Sequence, residues 1–312
     1  MRAEFFFAYC TMLKQLGYNI VGSLSVVGYF INTIFWFVPI MCLSLLKIIP
    51  LLRLRKLISY LLDGCATNWI SINKVNQNIF SRVQWDVKGL EKLTPQDWYL
   101  VVSNHQSWVD ILVLQRVFNR KIPFLKFFLK KELIWVPFLG LCWWALDFPF
   151  MRRYSKSFLA KNPHLKGKDL QTTRKACEKF QYKPVSVMNF IEGTRITPEK
   201  KARQISPFKK LLKPRAGGIA FVLSAMGHQL HQLVDVTIYY PHGIPTFWDF
   251  VCGKVKSVKV DVAVTPIENL FDENIFSDNY FEDPKQRSLF QQWLNELWEQ
   301  KDQQLTQFHQ TD

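Results

Sequence analysis

The sequence predicts an α/β domain behind an N-terminal membrane-embedded helical segment, and three observations carry that reading. Between Lys14 and Lys47 stand 32 consecutive uncharged residues. Further on, apolar strand-like runs (Tyr99–Val102, Val185–Ile191, Leu233–Tyr240) alternate with helix-like runs, the pattern of a sheet flanked by helices. Two of those strands release polar or charged clusters, Ser103-Asn104-His105 and Glu192-Gly193-Thr194-Arg195, at the carboxyl ends where open α/β sheets place their ligands. The chain divides accordingly into residues 1–80, anchoring and interfacial, and residues 81–312, a globular domain ending in an acidic helix.

The 32-residue apolar run exceeds the ~20 residues a bilayer-spanning helix needs. It also exceeds the apolar region of a signal peptide, and no small-residue cleavage site follows it. A retained anchor is therefore expected, either one tilted span or a helical pair broken near Pro39. Basic residues favour its downstream side (Lys47, Arg53, Arg55, Lys56) over its upstream side, which would direct the rest of the chain to the cytoplasm. Residues 48–72 mix apolar and basic positions. They read as an interfacial helix or as one packed on the globular domain.

The domain is expected to open with a strand at Val83–Val87, turn through Gly89–Asp97, and enter the Tyr99–Val102 strand. A helix follows, capped by Ser103 or Asn104 and running on through ILVLQRVF. His105 and Asp110 lie five positions apart, roughly 140° around a straight helix at ~100° per residue. They can meet only if His105 lies in the strand–helix turn and Asp110 reaches back from the helix. Asp110 would then accept one imidazole N–H and leave the other nitrogen free as a base. Taken alone, the spacing equally describes a capping network or a chance pairing.

Lys130-Lys131 precede IWVPFLGLCWWALDFPFM, read as a membrane-facing rim with an apolar passage behind it, or as a buried helix broken at Pro137 and Gly140 and followed by a strand. From Arg152 to Lys179 nine basic residues face two acidic ones, a solvated or membrane-facing surface or a seat for an acidic acyl donor. After the 185–191 strand, Gly193 permits a tight path and Arg195 suits a phosphate. Glu192 could hold that arginine or bind a hydroxyl. Lys213-Pro214-Arg215-Ala216-Gly217-Gly218 opens a further helix in a form that suits an anion. Residues 250–267 alternate like one or two edge strands. Trp293–Leu305 reads as a Gln-rich helix packed through Trp293, Leu294, Leu297 and Trp298, with frayed residues beyond it.

Charge and composition narrow the partners. Of the formal charge of +15, the excess sits on residues 101–269, with 27 basic against 11 acidic side chains, while the tail is acidic. Such a surface attracts anions. Nucleic acid is not expected, because the chain is membrane-anchored and shows no recognition helix or zinc spacing. The 26 Phe, 11 Trp and 10 Tyr suit interfaces, including the headgroup layer. Six scattered cysteines show no CxxC and read as buried free thiols facing a reducing compartment. His228 and His231 have no third ligand. No metal or cofactor is expected.

In order along the chain, NHQSWVD, FPFMRR, FIEGTR and LVDVTIYYP resemble the four motifs of glycerolipid acyltransferases, the lysophosphatidic acid acyltransferase family, over roughly Tyr99–Pro241. Within it, KKELIWVPFLGL, ALDFPFM and GKDLQTTRKACEKF are most similar to a bacterial inner-membrane branch. The resemblance implies a glycerol-3-phosphate acyltransferase-like fold, with a central mixed, largely parallel sheet flanked by helices. By matching positions it implies His105 as general base and Asp110 as its orienting acid, with Arg153 as the arginine of the second motif. Glu192, Gly193, Thr194 and Arg195 fall where the family binds the acceptor's phosphate and glycerol, and Lys213 joins them as an anion contact. Arg152 and Phe148-Pro149 depart from the usual second motif and bear on the headgroup.

The implied reaction moves a fatty acyl chain from acyl-CoA or acyl-carrier protein to lysophosphatidic acid at the cytoplasmic face of a bacterial inner membrane. The partners are then the bilayer, a lysophospholipid acceptor and an acyl-carrier protein as alternative donor. Lysophosphatidylglycerol or lysocardiolipin is the alternative acceptor. A membrane thioesterase and a non-enzymatic polybasic module are the rivals from other classes.

Overall fold

The computed structural model describes residues 2–151, 180 and 183–311 of the chain. The expected contacts of Arg153, and the basic stretch Arg152–Lys179, lie outside the described residues. Two long helices come first, α1 (Arg2–Leu46) and α2 (Leu52–Phe80). The chain turns between them at Lys47–Leu51, next to Pro50, and α1 runs unbroken through Pro39. Of the two arrangements expected, the break near Pro39 does not occur and the apolar run is one continuous helix, because a proline in a lipid-facing helix costs only one backbone bond that neighbours can offset.

The apolar portion of α1, Tyr9–Leu46, is 38 residues long, more than enough to cross a bilayer. It is built inside out relative to a soluble helix. Leu16, Ile20, Leu24, Phe30, Ile31, Phe35 and Val38 are exposed, whereas Ser25, Asn32 and Ser44 are buried. Ser25 and Asn32 face α2. Asn32 donates to the Asn73 side chain at 2.7 Å and the Trp69 carbonyl at 2.9 Å, and Asn76 donates to the Ser25 hydroxyl at 3.1 Å. Apolar side chains outward and hydrogen bonds inward is how helices pair in lipid.

The globular part is a six-stranded sheet ordered β1-β8-β7-β2-β6-β3. Its strands are β1 (Gln84–Lys88), β2 (Tyr99–Ser103), β3 (Leu125–Phe127), β6 (Ser186–Phe190), β7 (Gln232–Tyr239) and β8 (Ser257–Pro266). Among the described residues only the β7–β8 pair is antiparallel; β1–β8, β7–β2, β2–β6 and β6–β3 are parallel. The sheet is mixed and largely parallel, and helices cover both faces. Two-residue strands β4 (Leu129–Lys130) and β5 (Phe150–Met151) pair separately. The described helices after α2 are α3 (Val109–Phe118), α4 (Leu139–Ala145), α5 (Pro198–Gln204), α6 (Ala216–Met226), α7 (Phe247–Val251), α8 (Glu268–Asp272) and α9 (Pro284–Thr311).

All five residues of β2 are buried, and alternation sends them to two cores. Leu100 and Val102 join Ile219, Leu223, Phe290 and Trp298 beneath α6 and α9. Tyr99 and Val101 join Val109, Val113, Val234 and Ile238 beneath α3. A third cluster, with Ile40, Ile58, Leu62, Cys142 and Leu146, binds α1 and α2 to α4.

Two expectations need correction. Residues 250–267 do not form an edge: Phe247–Val251 is helical, and β8 lies inside the sheet with β1 beyond it. The tail is not frayed. The α9 helix reaches Thr311, where the Tyr239 hydroxyl meets His309 at 3.3 Å and Phe308 packs on Tyr239. The chain does break at Pro137, but Gly140 belongs to α4. A Cβ there would stand 2.0 Å from the Ile134 carbonyl oxygen, so glycine is what lets α4 fold back on the preceding turn.

Candidate active site

The carboxyl ends of β2, β6 and β7 converge. Past Ser103 the chain keeps pairing through a side chain. The Asn104 amide donates to the Ile238 carbonyl and its oxygen accepts the Ile238 N–H, both at 2.9 Å, so Asn104 mimics a further ladder step against β7. Residues 105–108 then form a loop before α3, which starts at Val109 rather than directly after the expected cap, Ser103 or Asn104.

Asp110 in the first turn of α3 organises that loop. Its Oδ2 accepts the Gln106 N–H at 2.6 Å, the Ser107 N–H at 2.8 Å and His105 Nδ1 at 2.9 Å. Its Oδ1 accepts the Tyr240 hydroxyl at 2.6 Å. The carboxyl is wholly buried, and four donors replace the water it has lost. Burial and this contact push the Tyr240 phenol well above its ordinary range, so it stays a donor. The imidazole lies flat on Phe190, with centroids 3.9 Å apart and planes 11° from parallel. Held by Asp110 on one edge and Phe190 on a face, it has one orientation and one nitrogen free of protein partners among the described residues.

His105 stands in the wall of a cavity of ≈ 340 Å³. The remaining walls are mostly apolar and come from Trp36 and Ile40 of α1, Ala66 and Trp69 of α2, and Cys142 and Trp143 of α4. The aromatic run before Phe148 does border an apolar passage. The contribution of α1 and α2 was not legible in a stretch that reads simply as an anchor.

The second cluster follows β6. Glu192 is fully buried and meets neither Arg195 nor solvent. Its carboxyl oxygens accept the backbone N–H groups of His105 and Leu212, each at 3.3 Å, and burial raises its pKa to about 8. Glu192 therefore joins the His105 loop to the 208–215 loop from behind. Gly193 turns at φ 70°, a conformation that favours glycine, and the Arg215 side chain lies beside it, 3.6 Å from where a Cβ would be. Thr194 accepts Lys200 Nζ at 2.7 Å, and Lys200 also holds the Arg195 carbonyl at 3.0 Å. The Arg195 guanidinium lies over the Trp108 ring, 4.6 Å from its centroid, and the Ile196 N–H donates to the His105 carbonyl at 2.9 Å.

The structure thus brings His105, Asp110, Glu192, Gly193, Thr194 and Arg195 together. Lys213 is set apart, in an open cleft against α9 with Gln291 and Asn295; it is Arg215, two residues on, that approaches Gly193. Among the described residues no group of His, Cys, Asp and Glu could hold a metal ion. Chemically, the assembly offers an oriented imidazole at the mouth of an apolar chamber, with a guanidinium on the adjoining loop.

The family model described as Acyltransferase matches residues 84–241. Lysocardiolipin acyltransferase 1 of Mus musculus is 23% identical over 299 residues, 91% of this chain and 71% of that protein. Probable 1-acyl-sn-glycerol-3-phosphate acyltransferase 5 of Arabidopsis thaliana is 25% identical over 296 residues, 90% of this chain and 70% of that protein. A mouse 1-acyl-sn-glycerol-3-phosphate acyltransferase alpha is 29% identical over 114 residues, 36% of this chain and 35% of that protein. The chicken lysocardiolipin acyltransferase 1 is matched over 64% of its own length. The crystal structure of the 1-acyl-sn-glycerophosphate (LPA) acyltransferase PlsC from Thermotoga maritima shares the fold, with a TM-score of 0.52 at 14% identity, covering 93% of this chain and 98% of that one.

Proposed function

The chain belongs to the acyltransferase family, and on that premise we propose that it moves a fatty acyl group from a thioester donor to the free hydroxyl of a membrane lysophospholipid. The observation that carries the reading is the imidazole of His105, held at 2.9 Å by the buried carboxylate of Asp110 in the wall of an apolar cavity.

In this mechanism Asp110 keeps the proton on Nδ1, so the other ring nitrogen is the base. It takes the proton of the acceptor hydroxyl as the oxygen attacks the thioester carbonyl. The carbon–sulfur bond breaks, the ester forms, and the imidazolium returns its proton to the departing thiolate. General-base assistance of this kind is worth about 10²–10⁴ in rate. The acyl chain lies in the cavity between α1, α2 and α4. Arg195 and Arg153 hold the acceptor's phosphate, with Thr194 and the flat approach at Gly193 accommodating its glycerol. Glu192 acts one step back, by fixing the backbone of His105.

The acceptor is a lysophospholipid larger than lysophosphatidic acid, of the lysocardiolipin or lysophosphatidylglycerol kind. The support is the long match to lysocardiolipin acyltransferases, which spans nearly the whole chain. Arg215, exposed beside Gly193, provides a second guanidinium for a headgroup with a second anionic or hydroxylated arm. Lysophosphatidic acid is the second reading, favoured by the matches to 1-acyl-sn-glycerol-3-phosphate acyltransferases, one over 90% of the chain at 25% identity and one over 36% at 29%. The helix α1 anchors the protein in a bacterial inner membrane, and the basic residues after it keep the catalytic domain in the cytoplasm.

Purified full-length enzyme supplied with a panel of lysophospholipids, and with both acyl-CoA and acyl-carrier protein, tests this when labelled chains are followed by mass spectrometry. Product from the larger headgroups is expected. Product from lysophosphatidic acid alone would overturn the acceptor assignment, and free fatty acid alone would overturn the transfer.

A further inference from the structure

A second cavity, of ≈ 490 Å³, lies against α4 and the turn between α1 and α2. Among the described residues, it shares no wall residue with the chamber beside His105. Its polar side carries Lys47, Arg55, Lys56 and Lys183 against one carboxylate, Asp147. Lys47 bonds Asp147 and the Ala145 carbonyl, and Lys183 bonds Asp63 and the Ser59 carbonyl. Arg55 spends its Nε on the carbonyls of Lys47 and Ile49, which ties it to the turn between α1 and α2. Among the described residues, these four cations face two carboxylates, Asp147 and Asp63. The other walls are apolar, from Ile48, Leu52 and Trp144.

The position of this cavity along the chain is what identifies its ligand. The uncharged run of α1 ends at Leu46 and the first charge is Lys47, which sets the basic wall at the level of the lipid headgroups. Ile48 is 74% exposed, with Leu51, Leu52 and Leu57 also open, so apolar side chains surround the cavity where lipid tails begin. Trp144 and Tyr60, both more than half exposed, stand at its mouth as interfacial aromatics do. A ligand that suits all of this is anionic at one end and aliphatic at the other.

We propose that this cavity binds one anionic membrane phospholipid, its phosphate among Lys47, Arg55, Lys56 and Lys183 and its first methylenes against Ile48, Leu52 and Trp144. Among the described residues, the site has no wall in common with that of the reaction. It fastens the turn of the anchor to α4 and gives the protein a preference for anionic bilayers beyond the general attraction of its charge.

The test counts retained lipid by native mass spectrometry on full-length protein carrying His105→Ala, so that no turnover confuses the count. The protein is delipidated in detergent and supplied with phosphatidylglycerol or phosphatidylcholine of the same chains. One phosphatidylglycerol per chain is expected to persist where phosphatidylcholine does not. Arg55→Gln with Lys56→Gln should weaken that retention on the order of thirty-fold, as two interfacial cations are lost. Lys56→Gln alone, which leaves the Arg55 contacts to the turn intact, should weaken it on the order of fivefold. Equal retention of the two lipids would overturn the proposal. So would unchanged retention in both folded variants, or displacement by inorganic phosphate alone, which would make this a phosphate site rather than a lipid site. Failure of acyl transfer with every acceptor would sink the proposed reaction and leave this count untouched.

Discussion

Replacing Asp110 separates the charge of the carboxylate from its hydrogen bonds, provided the replacement is asparagine. Asp110→Ala strips the acceptor from the Gln106 and Ser107 N–H groups and the Tyr240 hydroxyl. Each orphaned buried donor costs about 1–3 kcal/mol, roughly 3–9 in all, which rivals the ~5–15 kcal/mol of a whole domain. Its lost activity would report unfolding. Asp110→Asn behaves differently, because three N–H donors converge on Oδ2. The amide must put its oxygen there, leaving its NH₂ toward Tyr240, whose hydroxyl can accept as readily as donate. The loop and the Nδ1–H tautomer survive, at a cost of about 1–2 kcal/mol as charge-assisted bonds become neutral ones. What disappears is the negative charge 2.9 Å from the forming imidazolium. At an effective dielectric near 20 that attraction is roughly 5–6 kcal/mol, and solvent at the partly exposed ring reduces it. A fall in kcat of about 10²–10⁴ with a loss of only a few degrees in Tm is therefore expected, read by initial rates with a labelled thioester beside a thermal melt. A folded Asp110→Asn protein within about threefold of the parent rate would refute the reasoning.

Other perturbations probe the remaining walls and contacts. Ala66, 2% exposed, lines the cavity beside His105, and Ala66→Leu should lower kcat/KM for the longest acyl chains about tenfold or more while sparing short ones; an unchanged chain-length profile would place the acyl chain elsewhere. Arg195→Lys keeps the charge but loses the fork and the stacking on Trp108, so the acceptor KM should rise about tenfold with the donor KM unmoved, a split that steady-state kinetics reads directly. Glu192 has a folded pKa of about 8 against an ordinary 4.5, raised by burial. The folded state thus holds a proton that the unfolded chain releases, and stability falls as pH climbs from about 4.5 to 8. Glu192→Gln removes that slope, so the stability of the parent relative to the variant should fall with rising pH; a constant difference from pH 5 to 8 would exclude Glu192 as its source.

What the sequence made legible was local. A histidine in a strand–helix turn and an aspartate reaching back from the helix are forced by five-residue spacing once both are required to meet, and β2 and α3 deliver them so. The helix begins later than Ser103 because Asp110 takes up the N–H groups of Gln106 and Ser107, which no propensity at Ser103 or Asn104 discloses. Tyr240 comes from 130 positions away, through the parallel register of β2 with β7, and Phe190 through that of β2 with β6. Such partners are set by strand order, which alternation does not encode. Glu192 drew attention as a charge beside Arg195, yet the backbone donors that occupy it lie in two other loops. Lys213 and Arg215 flank one proline, and only the folded path tells which of them turns toward Gly193.

The anchor and the domain are one unit at the level of side chains. Asp63, on α2, receives Lys126 of β3 at 3.3 Å and Lys183 at 2.6 Å, and both lysines are buried. A buried ion pair adds little stability over a well-packed apolar pair, but losing one partner is expensive because the other charge is left in a medium that cannot solvate it. Removing α1 and α2 would leave Lys126 and Lys183 without Asp63 and would open the chamber beside His105 along the walls given by Trp36, Ile40, Ala66 and Trp69. The same helices hold each other through Asn32–Asn73 and Asn76–Ser25 contacts, which fix one register in a setting where apolar packing alone would allow several. The helix that reads as an address in the sequence is, by this geometry, also a wall of the chamber in which the acyl chain is proposed to lie. Membrane attachment and chain recognition then depend on one set of contacts.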